Sequence, residues 1–204
     1  TAVFRDPSAW YHIHVSNNGM FVNGVSHGSV TTTDLSNTKL FDDFDGYVSE
    51  VYLQTGTSAV SNFGETNDEG VWVPISAPSG HTYLKFANSS NFGANSGGGG
   101  NWTASGLATA DQMADTPLNN YATINFLDAH IESDAVLSNG NLQWKNTNTG
   151  KSNDARATFA VSSGKWYWEC ELDTLGQSGV NREFVGVVSP EWRIDGDGDG
   201  TSFP

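Results

Sequence analysis

Apolar and polar residues alternate in short stretches along this chain, and turn-forming residues separate those stretches. The alternation is clearest in "WYHIHV" (10–15), "GYVSEVYLQT" (46–55) and "SSGKWYWECELD" (162–173). Successive side chains of a strand point to opposite faces, so a period of two predicts half-buried strands. Asn and Gly tolerate positive φ, so "NNG" (17–19) and "NG" (23–24) predict hairpin turns. The pattern predicts an all-β fold of antiparallel jelly-roll or β-sandwich modules with a loop-rich connector.

The middle of the chain has a different character from its two ends. An acidic turn and a short strand are expected in 63–74, and another strand in 81–88. The Gly run at 95–102 is typical of a flexible loop. Short strands are expected again after residue 126, in 135–146 around a further Asn-Gly turn and in 155–173. The middle of the chain therefore serves as the expected connector.

The stretch 162–173 carries two sets of side chains with opposite character. In a strand, the set with the indoles forms an apolar stripe, and we expect it to be buried, with the acidic set in solvent. The two sets are Trp166, Trp168, Cys170 and Leu172 on one face, and Tyr167, Glu169, Glu171 and Asp173 on the other. Alternate carboxylates on one strand, ~6–7 Å apart, would also suit a two-carboxylate glycoside hydrolase. We expect a solvated face and no catalysis.

Composition and charge narrow the range of partners. The 204 residues carry a formal net charge of −14 with only nine Lys and Arg. A duplex-binding surface needs a basic patch, so we expect no nucleic-acid partner. No apolar run approaches ~18 residues, so we expect no membrane insertion. The single cysteine, Cys170, cannot form an internal disulfide, and we expect it to pack inward.

Two groups of residues are candidate metal ligands. Asp195, Asp197 and Asp199 alternate with glycines in "DGDGDG", a spacing that resembles oxygen-rich calcium loops. The alternative is a solvated acidic turn. His12 and His14 share one face of a predicted strand and would suit a metal, but no carboxylate with a partnering spacing is evident. No cofactor other than calcium is suggested, and no nucleotide-binding or acyl-transfer motif is present.

Two segments carry a resemblance to known domain families. "AWYHIHV…GMFVNGVSHGSV" and "FDGYVSEVYL" resemble the second half of a laminin-G-like (concanavalin-type) jelly roll. The matching positions are Trp10, His12, Val22, Asn23, Gly24, Phe44, Gly46 and Glu50. "SSGKWYWECEL…FVGVVSP" is similar to the start of a SPRY domain, which is also a bent antiparallel sandwich. The resemblance implies a partial laminin-G-like sandwich at 1–62, a connector at 63–125 and a partial SPRY-like sandwich at 126–204.

The connector resembles segments of large virion proteins of marine-type tailed phages, where such a segment links these two kinds of domain. The stretches that carry this resemblance are "FGE…GVWVP", "YLKFANSS…GGGGNWT" and "DQMADTPLNNYATIN". The resemblance implies a non-enzymatic structural or adhesive protein in the virion, such as a tail fibre. Other virion chains, a homo-oligomer and a host-surface glycan are the expected partners. The alternatives are a lectin-like carbohydrate-binding module and a laminarinase-type glycoside hydrolase.

Overall fold

A computed structural model of the chain describes residues 4, 6, 9–31, 39–44, 46–130, 135–146, 153–174, 185–191 and 194. Within these residues all regular structure is β-strand except for two single 3₁₀ turns, Val60–Asn62 and Thr109–Asp111. Every strand pair is antiparallel. The all-β fold predicted from the alternation is therefore confirmed. The chain forms two compact units, residues 9–120 and residues 1–8 with 121–204.

Two successive hairpins form a three-stranded sheet at the start of the 9–120 unit. The predicted turns are confirmed, because Asn17–Asn18 and Asn23–Gly24 connect the strands. Asn23 and Gly24 have φ of 47° and 76°, as a type I′ turn requires. The Asn23 side chain also accepts a hydrogen bond from the backbone N–H of His12, at 2.8 Å. The strands are β1 (Ile13–Ser16), β2 (Gly19–Val22) and β3 (Val25–Gly28).

Two further two-stranded sheets complete this unit. The long strand expected over 46–55 is reduced to three residues, because Glu50 has a φ of 59°, outside the β region. This short strand, in the predicted laminin-G-like segment 1–62, pairs with a strand from the predicted connector 63–125. The two predicted segments therefore contribute to one sheet. The strands are β4 (Val51–Leu53) paired with β7 (Thr82–Leu84), and β5 (Gly64–Thr66) paired with β6 (Trp72–Pro74).

The apolar core of the 9–120 unit is small and rich in aromatic residues. The Trp72 indole lies against the backbone of Gly24 and Gly64, and a Cβ at either glycine would overlap its ring. The two glycines therefore make room for an indole that joins two sheets. The buried apolar residues are Val22, Phe63, Tyr83, Leu84 and Phe92.

The Gly-rich run at 95–102 is ordered by one side chain. Asn95 accepts hydrogen bonds from the backbone N–H groups of Tyr83 and Gly97, at 2.9 and 3.0 Å. Its amide nitrogen donates to the carbonyl oxygens of Gly98 and Gly100. We call this arrangement the Asn95 clasp. The run was expected to be a flexible loop, but the clasp ties it to β7.

The described residues of the second unit form two two-stranded sheets. The side chain of Arg156 donates to both carboxylate oxygens of Asp128, each at 2.8 Å, and so reinforces one strand pair. The Asn-Gly turn at 139–140 connects the other pair, as predicted. The strands are β8 (Ile124–His130) paired with β11 (Asp154–Ala157), and β9 (Ala135–Ser138) paired with β10 (Gln143–Asn146). No helix in the described parts of the chain is long and apolar enough to cross a membrane.

Candidate functional site

The chain that follows β11 pairs with none of the described strands, and we call residues 159–174 the aromatic segment. Its backbone makes no hydrogen bond with the backbone of another described residue. Trp166 and Trp168 are 65% and 53% exposed. The prediction that these two indoles are buried is therefore wrong. A period of two specifies which side chains share a face, but burial also needs a second layer, and no described strand pairs with this segment.

Of the other predictions for the aromatic segment, some are confirmed and some are wrong. Glu169 and Glu171 are exposed, as expected, while Cys170 is exposed rather than packed inward. Tyr167 is 84% and Leu172 is 53% exposed. Both faces of the segment therefore contact solvent. Unpaired backbone groups beside exposed apolar side chains are the features of a sheet edge that can accept another strand.

An open cleft of about 490 Å³ lies where the aromatic segment leaves β11. Phe159, Val161 and Trp166 contribute apolar surface, and Asp6, Ser162 and Ser163 contribute polar groups. Thr158, also in the lining, accepts a hydrogen bond from the backbone N–H of Thr123 at its hydroxyl oxygen, at 3.2 Å. This contact fixes the start of the segment to the rest of its unit.

The indole of Trp166 is exposed but held in one orientation. Its Nε1–H donates to the carbonyl oxygen of Ser163, at 2.6 Å. The intervening turn depends on Gly164, which has a φ of 99°. A Cβ at this position would also come within 3.3 Å of the indole nitrogen. The short turn therefore presents a large aromatic surface to solvent without leaving its N–H unpaired.

The carboxylates considered for catalysis lie on the exposed part of the aromatic segment. Glu169 accepts a hydrogen bond from the Tyr167 hydroxyl at 2.8 Å. This hydrogen bond, together with the negative charge of Glu169, raises the pKa of Tyr167 above its usual value. Glu169, Glu171 and Asp173 are all exposed, and the cleft is lined by other residues. All three acids therefore contact solvent, and Glu169 also has a tyrosine partner.

A second group of aromatic side chains lies in the 9–120 unit, and we call it the histidine–aromatic cluster. It consists of His12, His14, Phe21, Tyr52, Phe63, Trp72, His81 and Tyr83. The His12 ring is 5.7 Å from that of Trp72, and the His14 ring is 5.5 Å from that of Phe63. Tyr52 contacts Phe63 at 4.9 Å between ring centroids. These contacts pack the cluster around Phe63 and Tyr83, which are buried, while its other six members are partly buried.

Two of the three histidines of the cluster, His12 and His14, are poor proton acceptors. Burial lowers the pKa of both imidazoles, and the neighbouring His14 lowers the pKa of His12 further. His12 Nδ1 and His14 Nε2 are buried without a hydrogen-bond partner among the described residues. No group of three or more His, Cys, Asp or Glu residues in the described parts of the chain is placed to hold a metal ion. The rings instead stack on apolar neighbours.

Tyr83 connects the cluster to the surface. Its hydroxyl donates to Glu50 at 2.7 Å, and the ammonium of Lys85 lies 5.0 Å from its ring centroid. Burial, then the hydrogen bond and the charge of Glu50, raise the pKa of Tyr83 far above its usual value. Tyr83 therefore stays protonated at any ordinary pH and acts as a hydrogen-bond donor.

Sequence reasoning found some of the candidate residues and missed others. Asp195, Asp197 and Asp199, the predicted calcium ligands, lie outside the described residues, so the calcium site stays a prediction. Phe159 and Asp6 were not identified, because they lie far apart in sequence and neither belongs to a motif. The sequence signal for this cleft was "SSGKW", in which a glycine two residues before a tryptophan indicates a tight turn beneath an indole.

No family model, curated protein or solved structure matches this chain.

Proposed function

We propose that this chain is a non-enzymatic structural or adhesive component of a tailed-phage particle, acting in assembly or host attachment. The observation that carries the proposal is the aromatic segment. Its backbone makes no hydrogen bond with the backbone of another described residue, and its side chains Tyr167, Trp168 and Leu172 are exposed. Such a segment gains most by pairing with a strand of another chain, because backbone hydrogen bonds and apolar burial then form together.

The sequence resemblances support the same role. The connector resembles that of marine-type tailed-phage virion proteins, and the flanking segments resemble a laminin-G-like domain and a SPRY domain, of which the SPRY domain is not catalytic. Another copy of the chain or a second virion protein is the proposed partner of the segment. The valines at 185, 187 and 188 are also 48–79% exposed and would add to the covered surface.

Light scattering of the intact chain tests the assembly role directly. At micromolar concentration we expect species larger than the 21.8 kDa of one chain. Trp168→Ser with Leu172→Ser should reduce the assembled fraction, whereas Leu118→Ser, at a position 72% exposed in the other unit, should not. A monodisperse monomer for the unmodified protein would count against assembly through this segment.

A lectin-like role is the second candidate, and the cleft beside Trp166 favours it. A hydrolase role is the third, and it rests on the carboxylates of the aromatic segment. A reducing-end assay on β-glucans and algal polysaccharides separates these two. We expect no release of reducing ends. Release that is lost in Glu169→Gln or Glu171→Gln would overturn the non-enzymatic proposal.

A further inference from the structure

The cleft beside Trp166 combines a fixed aromatic surface with hydroxyl and carboxylate groups. Trp166 is 65% exposed, and its Nε1–H bond to Ser163 sets the orientation of its ring. An exposed ring that is already oriented loses little conformational freedom when a ligand covers it. The volume of about 490 Å³ lies within the usual range of small-molecule sites, roughly 300–1,000 Å³.

We propose that this cleft binds the neutral sugar rings of a glycan. A pyranose has an apolar C–H face and an edge of hydroxyl groups. The rings of Trp166 and Phe159 suit the first, and the hydroxyls of Ser162 and Ser163 suit the second. The carboxylate of Asp6 is a further acceptor for sugar hydroxyls. The proposal deepens the attachment role proposed above and rests on it.

Charge selects neutral sugars over acidic ones. None of the described residues that line the cleft is basic, and Asp6 contributes a negative charge. The whole chain carries a formal charge of −14. A sulfated or uronate-bearing glycan would find no basic side chain among the described residues that line the cleft. The proposed ligand class is therefore an uncharged hexose oligomer.

Titration of the intact chain with defined oligosaccharides tests the proposal. The probes are neutral hexamers of glucose, mannose and galactose, with an alginate hexamer and a proline-rich peptide for comparison. Binding is measured by calorimetry and by tryptophan fluorescence. We expect at least one neutral hexamer to bind, and Trp166→Ala to weaken that binding at least about tenfold. Trp166→Phe keeps a ring in the cleft and should lose less.

Trp168→Ala is the matched control, because Trp168 is a similarly exposed indole two residues away that does not line the cleft. It should bind sugar as the unmodified protein does. Equal losses in both alanine variants, binding of alginate or peptide in place of the neutral hexamers, or no binding of any neutral hexamer would each overturn the proposal. Light scattering of the same samples keeps the two proposals apart. An assembled protein that binds no sugar contradicts only this inference, and a monomer that binds sugar contradicts only assembly.

Discussion

The histidine–aromatic cluster and the aromatic segment use similar residues with opposite results. In the cluster, rings from five strands and neighbouring loops pack at centroid distances of 4.9–6.1 Å. In the aromatic segment, three consecutive aromatic residues are 53–84% exposed. Both regions have a high density of aromatic side chains. The difference is that the cluster lies between paired strands, whereas the segment has no strand partner among the described residues.

This difference assigns stability to one region and leaves the other with apolar surface for the proposed partner. Burial of a ring stabilises the fold only when another element covers it. Phe63 is 9% exposed and contacts His14 and Tyr52, so its burial contributes to folding. The exposed rings of the segment contribute little to folding, and their apolar area remains available for a partner or ligand.

Removing one ring from each region gives the largest expected difference in the free energy of unfolding. Phe63→Ala should lower the free energy of unfolding by about 3–5 kcal/mol, because it leaves a cavity in the core. Trp168→Ala should lower it by less than about 1 kcal/mol, because that indole is half in solvent. Urea unfolding followed by near-UV circular dichroism measures both. Similar losses in the two variants would show that the segment is covered by its own chain.

The next contrast concerns two glycines of the run held by the Asn95 clasp. A Cβ at Gly97 would overlap the carbonyl group of His81, whereas a Cβ at Gly100 meets open space. Gly97→Ala should therefore cost about 1–3 kcal/mol of stability. Gly100→Ala, its matched control, should be neutral or slightly stabilising. The measurement is the urea midpoint of each variant. If Gly97→Ala is also neutral, the loop is not held as described.

A smaller effect is expected from single hydroxyl groups. Tyr83→Phe removes the hydrogen bond to Glu50 and should cost about 1 kcal/mol. Tyr167→Phe removes the corresponding hydrogen bond to Glu169 on the exposed segment and should leave the unfolding midpoint unchanged. A larger loss for Tyr167→Phe than for Tyr83→Phe would reverse the assignment of stability to the cluster.

The smallest expected effect is a dependence of stability on pH. The pKa values of His12 and His14 are lowered in the folded chain, so the unfolded chain takes up protons first as the pH falls. Their contribution is fully present above the unfolded pKa of about 6.5 and declines as the pH falls below it. Unfolding free energies at pH 7.5 and 5.5 should therefore differ more for the unmodified protein than for the double variant His12→Gln, His14→Gln. Equal differences would mean that neither histidine is buried.

The sequence was sufficient to predict the hairpin turns and several strands of this fold, but not the extent of every strand or how the strands pack. The turns at Asn23–Gly24 and Asn139–Gly140 were predictable, because positive φ restricts the residues that fit. The exposure of Trp166 was not, because the alternation around it is the same whether or not another strand covers it. The cleft was missed for a related reason. Asp6 and Phe159 are brought together only by tertiary structure.

The small size of the sheets has a consequence for local motion. Four of the five sheets in the described residues have two strands, and most strands are three or four residues long. A two-stranded sheet has little cooperativity of its own, so its backbone amides open in small groups rather than with the whole domain. Hydrogen-exchange protection should therefore differ from one sheet to the next. The slowest amides are expected in β2 and β7, whose residues lie in the core, and the fastest in the aromatic segment. Binding of a partner strand would register as new protection confined to that segment.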